Sequence, residues 1–174
     1  MSQFSAVYYR DLYDKMSFIM NRDILCAQDS MISNSKNSYY KYIEKATKVP
    51  WWMIGSIHMR ECDFNFTLNI RDGTPLHEGE SFVGEAIKIF QKPEYQVKEW
   101  NLETVLLKCE IYNGLGYQLY HPTVLSPYLW SMSNLYSKGK YDRDGHFNPD
   151  LIDEQVGIAV LLKSLENKIE FTRI

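Results

Sequence analysis

The chain lacks several features that would fix a function class at once. It has no basic surplus: 19 Lys and Arg stand against 22 Asp and Glu, for a formal charge of −3. Nucleic-acid binders are normally basic on balance, so that class is set aside. Cysteine is scarce. Cys26, Cys62 and Cys109 make an odd count with no Cys-x-x-Cys spacing. A disulfide framework and a structural zinc are therefore not expected, and each thiol reads as a small buried hydrophobe in a reducing compartment. No run approaches the ~18–20 apolar residues that a membrane span needs. The first residues, MSQFSAVYYRDLYDKM, have neither the basic start nor the apolar run of a secretory signal. The expectation is a chain made in the cytoplasm without a leader. Gly114-Leu115-Gly116 lacks the third glycine of a phosphate loop, and no Gly-x-Ser-x-Gly elbow occurs. Repeats, low-complexity runs and Gly/Ser linkers are absent too. The 174 residues are read as one domain, 1–174, able to bury a core.

Aromatic residues, by contrast, are plentiful, with 13 Tyr and 4 Trp. Rings with a polar tip suit carbohydrate clefts, although composition alone favours a Tyr-rich core. Helical spacing of Phe4, Val7, Tyr8, Leu12, Met16 and Met20 predicts a first helix. Ser30 to Asn37 reads as a polar turn, and Tyr39 to Val49 as a second helix. Pro50 starts the most apolar stretch, PWWMIGSIHMRE, a buried helix with Glu61 at its C-terminal end. Alternation of Phe64, Phe66, Leu68 and Ile70 predicts a strand over 63–70, followed by a turn at 71–75. Further helices are expected over 81–90, over 102–112 with Asn101 as cap, and in a short piece after Ser126-Pro127. Residues 136–148 read as polar and Gly-containing. Asp150 is expected to cap a last helix whose core face holds Leu151, Val156, Val160 and Leu161. The sum is an α+β, mostly helical fold with one small β element.

Glu61 is the candidate for chemistry. An acid that must keep its proton near neutral pH needs an apolar wall, and Glu61 ends an apolar helix holding Trp51 and Trp52, with Cys62 and Phe64 behind it. A second carboxylate would come from the following turn, with Asp72 as first candidate and Asp63 as second.

The ordered motifs resemble the lysozyme-like superfamily, and within it proteins of the phage endolysin type. The resemblance is carried by Met53-Ile54-Gly55-Ser56-Ile57-His58-Met59-Arg60-Glu61, Asn65-Phe66 and Asp72-Gly73-Thr74-Pro75-Leu76. It continues through Tyr112-Asn113-Gly114-Leu115-Gly116-Tyr117, Ser126-Pro127-Tyr128-Leu129-Trp130-Ser131, Lys138-Gly139-Lys140-Tyr141, Asp144-Gly145 and Gly157-Ile158-Ala159-Val160-Leu161-Leu162. These pieces span about residues 50–163. The resemblance implies a lysozyme-like fold with the β element beside a cleft. It implies cleavage of the β-1,4 bond between N-acetylmuramic acid and N-acetylglucosamine in peptidoglycan, with Glu61 as general acid and no cofactor or metal. The Tyr-Asn-Gly step is similar to a sugar-contacting motif of goose-type lysozymes and soluble lytic transglycosylases, which makes Tyr112 and Asn113 candidate sugar contacts. Relatives read Asn-Gly-Asp before Pro-Leu, whereas this chain reads Asp72-Gly73-Thr74. That departure leaves open a lytic-transglycosylase route on Glu61 alone, with Thr74 orienting water if hydrolysis holds. A monomer acting on wall strands after release through a holin or host lysis is expected.

Other readings stay beside this one. His58, one turn before Glu61, is either a partner orienting Glu61 at the substrate or a core histidine; companion metal ligands are missing. Trp51 and Trp52 read as core, and Trp130 is an even choice between core and sugar platform. Tyr136, Tyr141 and Phe147 read as closing the domain, and His77, His121 and His146 as loop residues. The alternatives for the whole are a chitin or chitosan hydrolase, a non-catalytic glycan-binding or phage structural protein, and a wall-degrading effector.

Overall fold

A computed structural model of the chain describes residues 5–143 and 145–169. Among these run nine α-helices: α1 (Ala6–Lys15), α2 (Arg22–Asn34), α3 (Ser38–Thr47), α4 (Trp51–Cys62), α5 (Phe82–Phe90), α6 (Leu102–Asn113), α7 (Gly116–Tyr120), α8 (Pro127–Trp130) and α9 (Ile158–Leu165). An antiparallel hairpin, β1 (Lys140–Arg143) and β2 (His146–Asn148), lies between α8 and α9. The chain is thus mostly helical with a small β element, α+β at that coarse level.

Helix α4 is the hub. Trp52 through Met59 and Cys62 are all buried, and the helix touches α2, α3, α6 and α9. A helix apolar all round belongs inside a core. The other such helix is α9, where Ile158 to Leu162 and Leu165 are buried. It meets α8 so closely that a Cβ on Gly157 would stand 2.4 Å from the Leu129 carbonyl oxygen. Ser81 and Asn101 cap α5 and α6 as their sequence positions suggest, accepting from the Gly84 and Thr104 amides. Pro50 sits one residue outside α4, as its N-cap.

Several expectations are corrected. The first helix ends at Lys15 instead of running to Met20, and Phe4 lies outside the described residues. Lys163 Nζ donates to the Tyr13 and Met16 carbonyls, and Ser17 is bound through its amide and carbonyl to Asn134. Those bonds take the chain out of the helix. Residues 30–34 belong to α2, where Ser30, Ser33 and Asn34 give the turn-like composition; Ile24, Gln28 and Met31 form its buried stripe.

The 63–70 stretch is not a strand. Asp63 and Phe64 are left-handed. Asn65 then accepts from the Thr67 amide, Asn69 from the Arg71 amide and Asp72 from the Thr74 amide. These successive side-chain turns occupy the backbone that a ladder would need, leaving one isolated bridge, Leu68 to Pro75. The β element is instead the hairpin at 140–148, in the polar, Gly-containing segment where no strand is expected. Asp150 caps no helix: it pairs with Lys138, Leu151 is exposed, and α9 begins after Gly157. Cys26 is exposed; Cys62 and Cys109 are buried, and all three are free thiols.

Candidate functional site

A cleft of about 860 Å³ opens at the C-terminal end of α4. Its walls come from α4, the α6–α7 junction, α7, the start of α8, β1 and residues 153–155. Glu61 lines it. The α4 backbone stops just beyond, where Asp63 turns left-handed and its amide bonds back to Met59.

The Glu61 carboxyl is anchored from another element: the Tyr128 hydroxyl donates to Glu61 Oε1 at 2.8 Å. Tyr128 is buried, and the Arg60 guanidinium lies 5.0 Å from its ring centroid. Burial raises the Glu61 pKa. The Tyr128 hydrogen bond and the Arg60 charge oppose that rise, the Asp72 charge adds to it, and the net shift is upward. A carboxyl held half out of water beside a cleft can keep a proton and deliver it.

Arg60 is itself clamped. Its two terminal nitrogens meet the two oxygens of Asp153 at 3.2 Å each, and one also reaches the Val156 carbonyl at 3.4 Å. Lys140 Nζ comes to 3.3 Å from Asp153 Oδ2. Burial works against the Asp153 charge, but Arg60, the Gln155 amide and Lys140 together outweigh it and hold its pKa below the ordinary value. Asp153 is therefore an ionised counter-charge, already occupied.

The expected second carboxylate stands differently. Asp72 is exposed, and the cleft lining does not include it. Its Oδ1 accepts from the Thr74 hydroxyl at 2.6 Å and the Thr74 amide at 3.1 Å. These bonds lower its pKa. Thr74 thus spends its hydroxyl on Asp72 and is itself exposed. The turn is nonetheless pressed onto the end of α4. Gly73 has φ +70°, and a Cβ there would lie 2.4 Å from the Glu61 carbonyl oxygen, so only glycine suits this approach. Asp63 is exposed and lines a second groove, with Asp23 and Glu154.

Of the other expected contacts, Asn113 lines the cleft, its Nδ2 donating to Ser126 Oγ at 3.4 Å. Tyr112 stands behind the wall, with its hydroxyl given to the Ile70 carbonyl at 2.7 Å. It fixes the loop before the Asp72 turn and does not line the cleft. His58 is a core residue, not a substrate contact. It is buried, Nδ1 is 2.8 Å from the Tyr40 hydroxyl, and its ring centroid is 4.5 Å from Phe66 and 4.3 Å from Phe82. Burial pushes its pKa down to about 4. Trp130 is 1% exposed and belongs to the core, as does Trp52.

Residues that sequence reasoning gave no site role complete the cleft: Arg60, Tyr128, Lys140, Asp153, and the aromatic wall of α7 and β1. In that wall the Tyr141 amide donates to the Tyr117 hydroxyl at 3.2 Å, and His121 stacks on Phe147 at 3.6 Å. The Lys140-Tyr141 and Tyr128 motifs named these positions without a role. Asp153 carries no local signal, because its partner Arg60 is 93 residues away.

Among the described residues no cluster of three or more His, Cys, Asp or Glu could hold a metal ion. No helix there is long and apolar enough to cross a membrane. No family model, curated protein or solved structure matches the chain.

Proposed function

We propose that this protein is a lysozyme-like enzyme that cleaves the glycan strands of peptidoglycan, with Glu61 as general acid. The observation that carries the reading is the Glu61 carboxyl, raised in pKa at the wall of a large cleft and anchored through one oxygen by Tyr128. Anchoring Oε1 leaves Oε2 to carry the proton. Glu61 gives that proton to the glycosidic oxygen of the β-1,4 bond as the C1–O bond breaks, and positive charge develops on the sugar ring. No cofactor enters the step.

Two routes complete the reaction. In the inverting route a carboxylate activates water on the far face of the sugar, with Asp72 as first candidate and Asp63 as second. In the second route the sugar's own C6 hydroxyl attacks C1, Glu61 takes the proton back, and a 1,6-anhydro end forms. The occupied oxygen of Asp72, its place outside the cleft lining and the locked state of Asp153 favour the second route. The action would fall on the cell wall after release from the producing cell.

The test is turbidity loss of purified peptidoglycan with wild type and with Glu61→Gln, which keeps shape and removes the proton. Clearing by wild type alone, with at least a hundredfold loss in the variant, is expected. Typing the soluble products as reducing or 1,6-anhydro ends then separates the two routes. Equal clearing by both proteins would remove Glu61 from the chemistry. Clearing by neither would leave a chitin-type polymer or a non-catalytic glycan binder as the better reading.

A further inference from the structure

We propose that the α7–β1 wall of the cleft is a subsite for a carboxylate-bearing sugar unit, with Lys140 taking the carboxylate and Tyr120 lying against the sugar ring. The inference rests on the glycan reading above and names which strands the cleft prefers.

The charge count comes first. Besides His121, the charged residues lining the cleft are Arg60, Glu61, Lys140 and Asp153. When Glu61 carries its proton, two cations face one anion. The whole chain has a formal charge of −3, so this positive excess is local to the cleft. Asp153 is already matched by the two-nitrogen grip of Arg60, and Lys140 only shares its Oδ2. Exposure then picks out the cation that a ligand can reach. The Arg60 and Asp153 side chains are each 5% exposed, whereas Lys140 is 31% exposed. An ammonium that shares a buried carboxylate and still faces an open cleft has donor capacity left for a second anion.

The aromatic wall gives the second, independent observation. Its inner rings are spent on one another: Tyr117 on Tyr141 edge to face at 5.1 Å, and His121 flat on Phe147. Tyr120 also lines the cleft but is 73% exposed. A large ring left in water at the lip of a cleft, on a wall stiffened by four other rings, suits the apolar face of a sugar.

A neutral chitin strand has no group for Lys140. A muramic acid unit does: its lactyl carboxylate is free where the stem peptide has been removed. An intact strand offers instead the carboxylates of the peptide itself. Both sources share the same chemistry, and binding measurements separate them.

The experiment is calorimetric titration of the Glu61→Gln protein with three probes. These are a neutral N-acetylglucosamine hexamer, a peptide-free glycan oligomer with free lactyl carboxylates, and the same oligomer carrying stem peptides. Lys140→Gln is expected to weaken the peptide-free oligomer about tenfold and to shift the neutral hexamer less than twofold. Lys140→Arg should restore most of the loss. Added salt should weaken the charged probe and not the neutral one. Tyr120→Ala should weaken all three, and unfolding midpoints would check that each variant is folded. A Lys140 effect confined to peptide-bearing strands would keep the subsite and assign the carboxylate to the peptide. Equal Lys140 effects on neutral and charged probes, or none, would overturn the carboxylate assignment while the glycan reading stands. No effect of Tyr120→Ala would remove the stacking half. Binding of no probe would overturn both readings together.

Discussion

At Glu61 the opposing influences come from different elements. Burial raises the pKa, with Asp72 adding to the rise from its turn, while the Tyr128 hydroxyl from α8 and the Arg60 charge from α4 lower it. Cys62 on α4 and Tyr112 on α6 also lie within electrostatic reach. Tyr128→Phe removes the hydroxyl and keeps the ring under Arg60. The carboxylate loses a donor, so the Glu61 pKa rises further. In its proposed role as general acid Glu61 works only while protonated, so the alkaline limb of kcat/KM should move to higher pH. The carboxyl also loses its anchor, and kcat should fall about tenfold. A pH–rate profile reads both effects. A fall in rate with an unmoved limb would mean that Tyr128 only supports the wall.

Between elements, α8 and the start of α9 come close at Gly157. Its φ of −69° is open to any residue, so backbone strain is not the reason for glycine. The reason is space: a Cβ would meet the Leu129 carbonyl oxygen at 2.4 Å and the Ser131 nitrogen at 2.8 Å, and backbone atoms cannot swing aside as a side chain can. Gly157→Ala should destabilise the protein by about 2 kcal/mol, read as a lower urea midpoint with an unchanged slope. Because α8 carries Tyr128, activity should fall with it. Elements of this kind were legible in sequence where a local signal marked them. Pro50, Ser81 and Asn101 stand at helix starts, and the apolar run to Glu61 marked the buried hub. Helix α2 was hidden although Asn21 accepts from the Ile24 amide as a cap, because Ser30, Ser33 and Asn34 in its last turns read as a turn. The 63–70 alternation reported burial over its first half, with Phe64 and Phe66 half-buried between exposed neighbours, and lost it where Asn69 and Ile70 are both buried. It could not report that no partner strand exists, nor that Asn side chains take the backbone amides. Glu61 was visible as a candidate because its apolar helix and the residues after it are contiguous in sequence. Its anchor and the Arg60–Asp153–Lys140 group were not, because only folding joins them.

For the molecule as a whole, two buried titratable groups pull stability in opposite directions with pH. Glu110 is buried in α6 and faces Tyr8 and Tyr9 of α1, Gln118 of α7, and Ser126 and Trp130. Burial raises its pKa to about 8, with a Ser126 hydrogen bond opposing. The folded state holds this proton more tightly than the unfolded chain. Its stabilising effect is complete below the ordinary carboxyl pKa and is lost as pH rises through about 8. His58 is the reverse: burial lowers it to about 4, so stability is lost as pH falls from the ordinary imidazole range towards that value. Between about pH 4.5 and 6.5 the two slopes offset each other. Above that window His58 is neutral in both states, and the Glu110 slope acts together with those of Glu61 and Glu44, both raised by burial in the same direction. Unfolding free energy should therefore decline from about pH 6.5 to 8, with Glu110 contributing about 2 kcal/mol of the decline. Glu110→Gln keeps the shape of the neutral acid and removes its titration. Urea unfolding of both proteins at pH 5, 7 and 9 should show the variant gaining on wild type at each step upward. Parallel curves would place the carboxyl in water when folded and break the link between α1, α6 and pH.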